Sequence, residues 1–319
     1  MKAGIRRNYC NPDGINLESV ALPQCGDKEV LIRVVAATVN RTDCANLAAK
    51  PFLMRFVLGF FRPKEIILGT DFAGEIVSVG KSVSSCSVGD SVFGFNDTGS
   101  RSHAEYTAVA EENVYAIPEN IDYRRAAASL EGGTYAYSFL RKVSVRPQQR
   151  ILINGASGAI GSALLQFLRE YDVRIAATCN AENIELVKSL GADRVYDYTK
   201  ENVLHGGEVY DHIFDAVGKW TFGKCKPLLK RNGTYTSSEL GPYFQNVIYS
   251  LLTSSGSKKV IFPIPCSQRE FMPFIESKLV SGRFSPVIDR EYSLSDISNA
   301  YAYVITGQKT GNVMLNIWR

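Results

Sequence analysis

The sequence predicts an α/β protein built on a doubly wound parallel sheet, joined to a β-rich part of a different kind, and three observations carry that prediction. Residues 151–168 read as an apolar strand ending at Asn154, a glycine-rich turn, and a helix marked by Ile160, Leu164, Leu165, Phe167 and Leu168. From 172 onward strands and helices alternate at the pitch of parallel crossovers, which gives a sheet covered on both faces. Before residue 121 the chain instead reads as short strands punctuated by Gly69, Gly74, Gly80 and Gly89 at hairpin intervals, the pattern of a compact antiparallel barrel or sandwich.

Taken in order, strands are expected at 29–36, 74–79, 90–95 and 103–109. Between the first two lies an apolar run, 51–63, broken by Arg55, Gly59 and two prolines and far too short to span a membrane. It reads as a short helix packed on its own domain or as an apolar rim over a substrate cleft, and it lacks the basic polar face of an interfacial anchor. Residues 122–142 read as helical and include the cluster Glu131-Gly132-Gly133-Thr134-Tyr135. After the strand at 151–154 come strands at 172–178, 194–198 and 210–215, with a helix at 182–190 closed by Gly191. A helix ending near Lys230, a turn at 231–233, a strand at 234–237 and an aromatic stretch at 243–252 precede a strand at 259–262. The chain closes with helices at 269–281 and after Ser293, then a strand at 311–317.

The glycine turn carries the chemistry. Gly155 precedes the spacing Ala156-x-Gly158-x-x-Gly161, a dinucleotide fingerprint with alanine at its first glycine position. Gly158 lets backbone approach a pyrophosphate and Gly161 lets helix and strand pack closely, while free N–H groups at the helix start meet the phosphate charge, worth about 0.3–2 kcal/mol. Gly155, Ser157, Gly158, Ala159, Ile160 and Gly161 are therefore the candidate cofactor loop. Thr178, Tyr198, Ala216, Val217 and Gly218 join it, because they stand at the carboxyl ends of the parallel strands, where such sheets bind ligands. The second strand ends Thr178-Cys179-Asn180 with no acidic residue to bind a ribose 2′-hydroxyl, which favours NADPH and leaves NADH possible.

Composition narrows the remainder. With 319 residues, 45% of them hydrophobic, the chain is long enough for two cored domains. A net charge of +4 without a dense Lys or Arg run gives no case for nucleic acid as a partner. Seven widely spaced cysteines without a C-x-x-C pair, beside three histidines, support neither a disulfide framework nor a zinc site. A strand pattern beginning at once, with no apolar signal segment, makes cytoplasmic residence the expectation.

A β-rich part, a dinucleotide fold and a return to the first part form an arrangement that resembles the medium-chain dehydrogenase/reductase superfamily, in its zinc-free quinone oxidoreductase-like branch. The matching motifs are Val39-Asn40-x-x-Asp43, Gly69-Thr-Asp-Phe-Ala-Gly-Glu-Ile-Val-Ser-Val-Gly80, Val88-Gly-Asp-Ser-Val-Phe-Gly, the loop from Gly155 to Gly161, and Glu185-Leu-Val-Lys-Ser-Leu-Gly-Ala-Asp193. The resemblance implies a GroES-like catalytic domain over 1–121 with 266–319 and a Rossmann domain over 122–265. In zinc-dependent relatives a cysteine stands at the place of Asn40 and a histidine at that of Thr70, so no metal is expected here. Hydride transfer without zinc suits an acceptor activated by conjugation, a quinone or an α,β-unsaturated ketone or aldehyde.

The family's threonine beside the nicotinamide corresponds to Tyr135, with Thr134 adjacent; Tyr135 is the candidate proton donor or oxyanion partner, or else an ordinary packed tyrosine. Asn40 and Asp43 either line the cleft, as in the family, or cap the helix that follows them. Asn180 and Tyr198 are implied neighbours of a 2′-phosphate, whereas Glu182 stands where relatives commonly carry lysine and would repel it. Relatives are often homodimers joined through the nucleotide domain, which makes the strand at 259–262 a candidate edge. The readings that compete with a conjugated-carbonyl reductase are an enoyl-thioester reductase, a zinc-independent alcohol dehydrogenase and an NADPH-binding scaffold without turnover.

Overall fold

The computed structural model describes residues 1–318, which fall into two compact units, 1–131 with 272–318 and 132–271. The crossings, after 131 and after 271, both lie later than the expected limits of 121 and 265. The helix Tyr123–Ala128 packs against strands of the first unit and buries Ala126, Ala127 and Ala128 there.

The second unit holds a six-stranded parallel sheet in the order Arg194–Asp197, Arg174–Cys179, Arg150–Asn154, Tyr210–Asp215, Leu229–Ser237, Lys258–Ile261. In chain order these strands run 3-2-1-4-5-6, the doubly wound arrangement whose direction reverses between the first and fourth. Ile151, Leu152 and Ile153 are fully buried, as a strand covered on both faces requires. The helix Ala159–Leu168 is buried along nearly its whole length, which explains its lack of a polar face. The expected turn at 231–233 is instead an irregularity inside the strand Leu229–Ser237. Asn232 takes φ 65°, and the pairing with the strand Tyr210–Asp215 skips register there.

In the first unit the strand Glu29–Val39 organises a seven-stranded sheet, pairing antiparallel with Asp71–Val79, Tyr106–Ala110 and Asn312–Asn316. Its alternating pattern buries Val30, Ile32 and Val34 against Ile76, Val92, Val313 and Leu315, at about 1.5–3 kcal/mol for each fully buried side chain. Beyond Val34 the strand is almost wholly buried and delivers Thr38 and Asn40 into the interior. The apolar run at 51–63 forms the short helix Met54–Leu58, yet most of its large side chains are exposed rather than packed on the domain. Among the described residues no helix is long and apolar enough to cross a membrane.

Candidate cofactor loop and buried polar cluster

The glycine loop leaves the first strand of the parallel sheet at the point where strand order reverses. Gly155 has φ 77°, a left-handed conformation that other residues enter at a cost, and a methyl group there would meet Val217 Cγ2 at 2.0 Å. A methyl group at Gly161 would lie 2.2 Å from Gly155 O, so helix and turn touch through backbone. Gly158 differs. It has extended backbone, and a methyl group would meet nothing nearer than Gly155 O at 3.6 Å. The fold requires glycine at 155 and 161, whereas at 158 a side chain would meet no close neighbour within the protein.

Gly158 is also the N-cap of the helix Ala159–Leu168 and supplies no side-chain cap. The first N–H groups of that helix therefore take no side-chain cap, an arrangement that suits an anion. Ala159 is buried, while Ser157 and Ile160 are half-buried. Gly132 faces the same helix start: a methyl group on it would fall 2.8 Å from the carbonyl of Ala159, which accounts for glycine at that position.

Three loops at this edge are tied into one network. Asn154 donates its amide to Asp215 Oδ1 at 2.8 Å and accepts from the Thr178 hydroxyl at 2.7 Å. That hydroxyl in turn accepts the N–H of Gly155 at 3.1 Å. Asp215, fully buried, accepts the N–H groups of Val217, Gly218 and Trp220 at 3.3, 2.9 and 2.9 Å, and the Tyr235 hydroxyl at 3.1 Å. Thr178 therefore serves the loop from within, since its hydroxyl is occupied by protein groups. Asp215 and Asn154 were not singled out from sequence; the signal was a polar residue closing each of two apolar strands immediately before a small-residue turn.

Asn180 and Tyr198 follow the ends of neighbouring strands, with Tyr198 N–H donating to Cys179 O at 3.1 Å. Asn180 accepts from the amide of Asn183 at 2.6 Å, Tyr198 is exposed, and Glu182 is exposed nearby in sequence. Ala216, Val217 and Gly218 are half-buried above the Asp215 carboxylate. On the helix Leu130–Leu140, Tyr135 is half-buried, whereas Thr134 is fully buried and its hydroxyl has no hydrogen-bond partner.

In the first unit, Asn40 and Asp43 form a reciprocal capping box on the helix Arg41–Ala48: Asn40 Oδ1 accepts from Asp43 N at 2.9 Å, and Asp43 Oδ2 accepts from Asn40 N at 3.0 Å. Both side chains are buried. The Asn40 amide also donates to Thr70 Oγ1 at 3.0 Å. The capping geometry is present, and it is continuous with a larger polar cluster.

Asp71 accepts both the N–H and the hydroxyl of Thr38, yet its burial holds its carboxyl up to about 7, and burial beside Asp71 raises Asp43 as well. His103 donates from Nε2 to Thr38 O at 2.9 Å and accepts the Tyr301 hydroxyl on Nδ1 at 3.1 Å; its burial pushes it down to about 4. Burial likewise raises Glu131, which accepts from Thr42 Oγ1 at 3.2 Å, and lowers Lys309. Among the described residues no group of three or more His, Cys, Asp or Glu could hold a metal ion.

Comparison with known proteins agrees with this architecture. A family model described as alcohol dehydrogenase GroES-like domain matches residues 26–119, and one described as zinc-binding dehydrogenase matches residues 190–315. The chain is 32% identical to the 2-methylene-furan-3-one reductase of Solanum lycopersicum, over 99% of this chain and 79% of that one. It is also 32% identical to the NADPH-dependent alkenal/one oxidoreductase, chloroplastic, of Arabidopsis thaliana, with the same coverage. The quinone oxidoreductase structure from Coxiella burnetii superposes with a TM-score of 0.87 at 21% identity, covering 100% of this chain and 99% of that one, and shares the fold. With a GroES-like unit, a 3-2-1-4-5-6 parallel sheet and relatives matched along nearly its whole length, the chain belongs to the quinone oxidoreductase-like branch of the medium-chain dehydrogenase/reductase superfamily.

Proposed function

We propose that the protein is a zinc-independent, NADPH-dependent reductase of conjugated carbonyl compounds, taking quinones or α,β-unsaturated ketones and aldehydes as acceptors. The observation that carries the reading is 32% identity, along 99% of the chain, to an alkenal/one oxidoreductase named as NADPH-dependent and to a methylene-furanone reductase. Support from the molecule itself comes from Gly158, whose bare backbone at an uncapped helix start suits a pyrophosphate.

Bound NADPH would supply the hydride. The chain's own part is to seat the pyrophosphate on Gly155, Ser157, Gly158, Ala159, Ile160 and Gly161, and to hold Ala216, Val217 and Gly218 in place through Asp215. Asn180 and Tyr198 attend the 2′-phosphate, and Glu182 tempers the preference for NADPH over NADH. Hydride addition to a conjugated acceptor leaves an enolate or phenolate, and Tyr135 or water returns the proton. Asn40 and Thr70 satisfy one another as amide and hydroxyl, poor ligands for zinc, which supports a reaction without metal.

The exposed Leu251 and Leu252 beside the sheet's terminal strand Lys258–Ile261 support a homodimer through this unit, which the mass in solution tests. Seven cysteines, all free, suit a reducing compartment, and cytoplasmic residence is the reading kept; imaging of the tagged chain tests it.

The central experiment is oxidation of NADPH and NADH by the purified protein with quinones, enones, enoyl thioesters and simple aldehydes. Turnover confined to quinones and enones, faster with NADPH, is expected. Turnover of simple aldehydes would make it an alcohol dehydrogenase, and cofactor binding without turnover would make it a scaffold. Tyr135→Phe is expected to slow the reaction by about 10²-fold; an unchanged rate would assign the proton to water.

A further inference from the structure

The segment 51–63 presents Phe52, Leu53, Phe56, Val57, Phe60 and Phe61 to solvent, with Phe61 87% exposed. Four of these rings touch one another: Phe52 lies edge-on to Phe56 and Phe60, and Phe60 edge-on to Phe61, with centroids 5.0–6.5 Å apart. They form one apolar knob rather than scattered side chains. Scattered exposed apolar residues are ordinary, whereas a contiguous patch marks an interaction surface.

The knob is built to stand out. Leu58, Gly59 and Pro63 are its buried residues, and the Tyr9 hydroxyl donates to Gly59 O at 2.5 Å. Arg55 is stacked over the Tyr9 ring at 4.8 Å and the Phe52 ring at 5.5 Å. Lys64 N–H closes the segment onto Leu58 O at 2.8 Å. The rings are therefore carried on an anchored turn.

Charge along the segment from 44 to 64 is of one sign. Between Asp43 and Glu65 the chain has no carboxylate, but it has Lys50, Arg55, Arg62 and Lys64, and Lys50, Arg62 and Lys64 are exposed. Glu65 itself lies 3.9 Å from Arg101. The short helix itself carries Arg55, engaged with the Tyr9 and Phe52 rings, and the exposed basic residues come from the turns on either side of it. Aromatic side chains ringed by lysine and arginine are complementary to an anionic interface that is apolar just beneath its surface. A second copy of the same face would bring like charges together, which disfavours self-pairing.

We infer that residues 50–64 dock this protein on the surface of an anionic lipid bilayer, the aromatic rings entering the headgroup boundary and Lys50, Arg62 and Lys64 pairing with lipid phosphate and carboxylate groups. Each basic side chain near such a surface contributes about a fivefold gain in partition, and the effect falls with salt.

The test is co-sedimentation of the full chain with phosphatidylcholine vesicles, with and without phosphatidylserine, at low and high salt. Binding is expected only with phosphatidylserine and is expected to weaken at high salt. Phe56→Ser with Phe61→Ser is expected to lower it at least about tenfold, and Arg62→Glu with Lys64→Glu at least about twentyfold. Thermal midpoint and NADPH binding, read on the same samples, separate a misfolded variant from lost docking and leave the catalytic reading to its own assay. No preference for phosphatidylserine vesicles, or equal binding by both folded variants, overturns the inference. So does concentration-dependent self-association abolished by the phenylalanine substitutions without vesicle binding, which would make the occupant a second copy.

Discussion

The side-chain amide of Asn40 donates to the hydroxyl of Thr70 at 3.0 Å, joining the two positions that the resemblance sets against a cysteine and a histidine of zinc-dependent members. The amide oxygen is already taken by the Asp43 N–H. Exhaustive dialysis against a chelator is therefore expected to leave NADPH oxidation unchanged. A loss restored by zinc would place a metal in the reaction.

Gly158 and Gly161 should separate ligand binding from folding. Gly158→Ala has room within the protein, so the thermal midpoint is expected to hold while NADPH affinity, read by fluorescence titration, drops at least about tenfold, roughly 1.4 kcal/mol. Gly161→Ala forces a methyl group onto Gly155 O and is expected to cost about 1–3 kcal/mol of stability. Equal affinities for Gly158→Ala and the parent would remove the loop from the cofactor site.

Asp215 holds three backbone N–H groups of the loop that follows it. Asp215→Asn turns one acceptor atom into a donor facing donors, and the expected loss is about 2–4 kcal/mol in urea unfolding. A weaker hold on the cofactor should accompany it in the same titration. A stability change below about 0.5 kcal/mol would mean that the network carries little.

Thr134 has a buried hydroxyl without a partner. Thr134→Val keeps the shape and removes the unsatisfied group, so it is expected to stabilise by up to about 1 kcal/mol with little change in kcat. A tenfold fall in kcat would return Thr134 to the catalytic machinery.

Asp71 and His103 pull stability in opposite directions with pH. The folded pKa of Asp71 is raised to about 7, so the folded state binds the extra proton, and stability falls as pH rises from about 4 to 7. His103 is lowered to about 4, so the unfolded state binds the extra proton, and stability is lost as pH falls from about 6.5 to 4. The two slopes offset one another below about pH 6.5. Asp71→Asn is expected to uncover the His103 slope, so that its unfolding free energy rises more steeply between about pH 4.5 and 6.5 than that of the parent. Parallel curves would show that Asp71 does not bind this proton.

The order of parts was legible in the sequence because each signal is local. Strand, glycine turn and helix at 151–168 announce themselves through period and through residues whose backbone geometry is special, as Gly155 at φ 77° bears out. The strand Glu29–Val39 is readable for the same reason, since alternation records which side chains face a core. The turn expected at 231–233 failed on this local logic: Asn-Gly favours a turn in isolation, but pairing on both sides of Leu229–Ser237 absorbed it as an irregularity.

What the sequence by itself determined, then, was the fold class, the place of the loop, and the motifs by which the family is known. Tertiary structure alone decided that Asn154, Thr178 and Asp215 form one network, since they come from three strands separated by more than twenty residues of chain at each step and meet only through sheet order. It also decided that a methyl group has room within the fold at Gly158 and none at Gly161, because that distinction is a distance between backbones. And it turned the apolar run at 51–63, which reads in sequence as a packed helix or a cleft rim, into an exposed aromatic knob. Periodicity reports which residues prefer burial; only the completed packing determines whether anything is there to bury them.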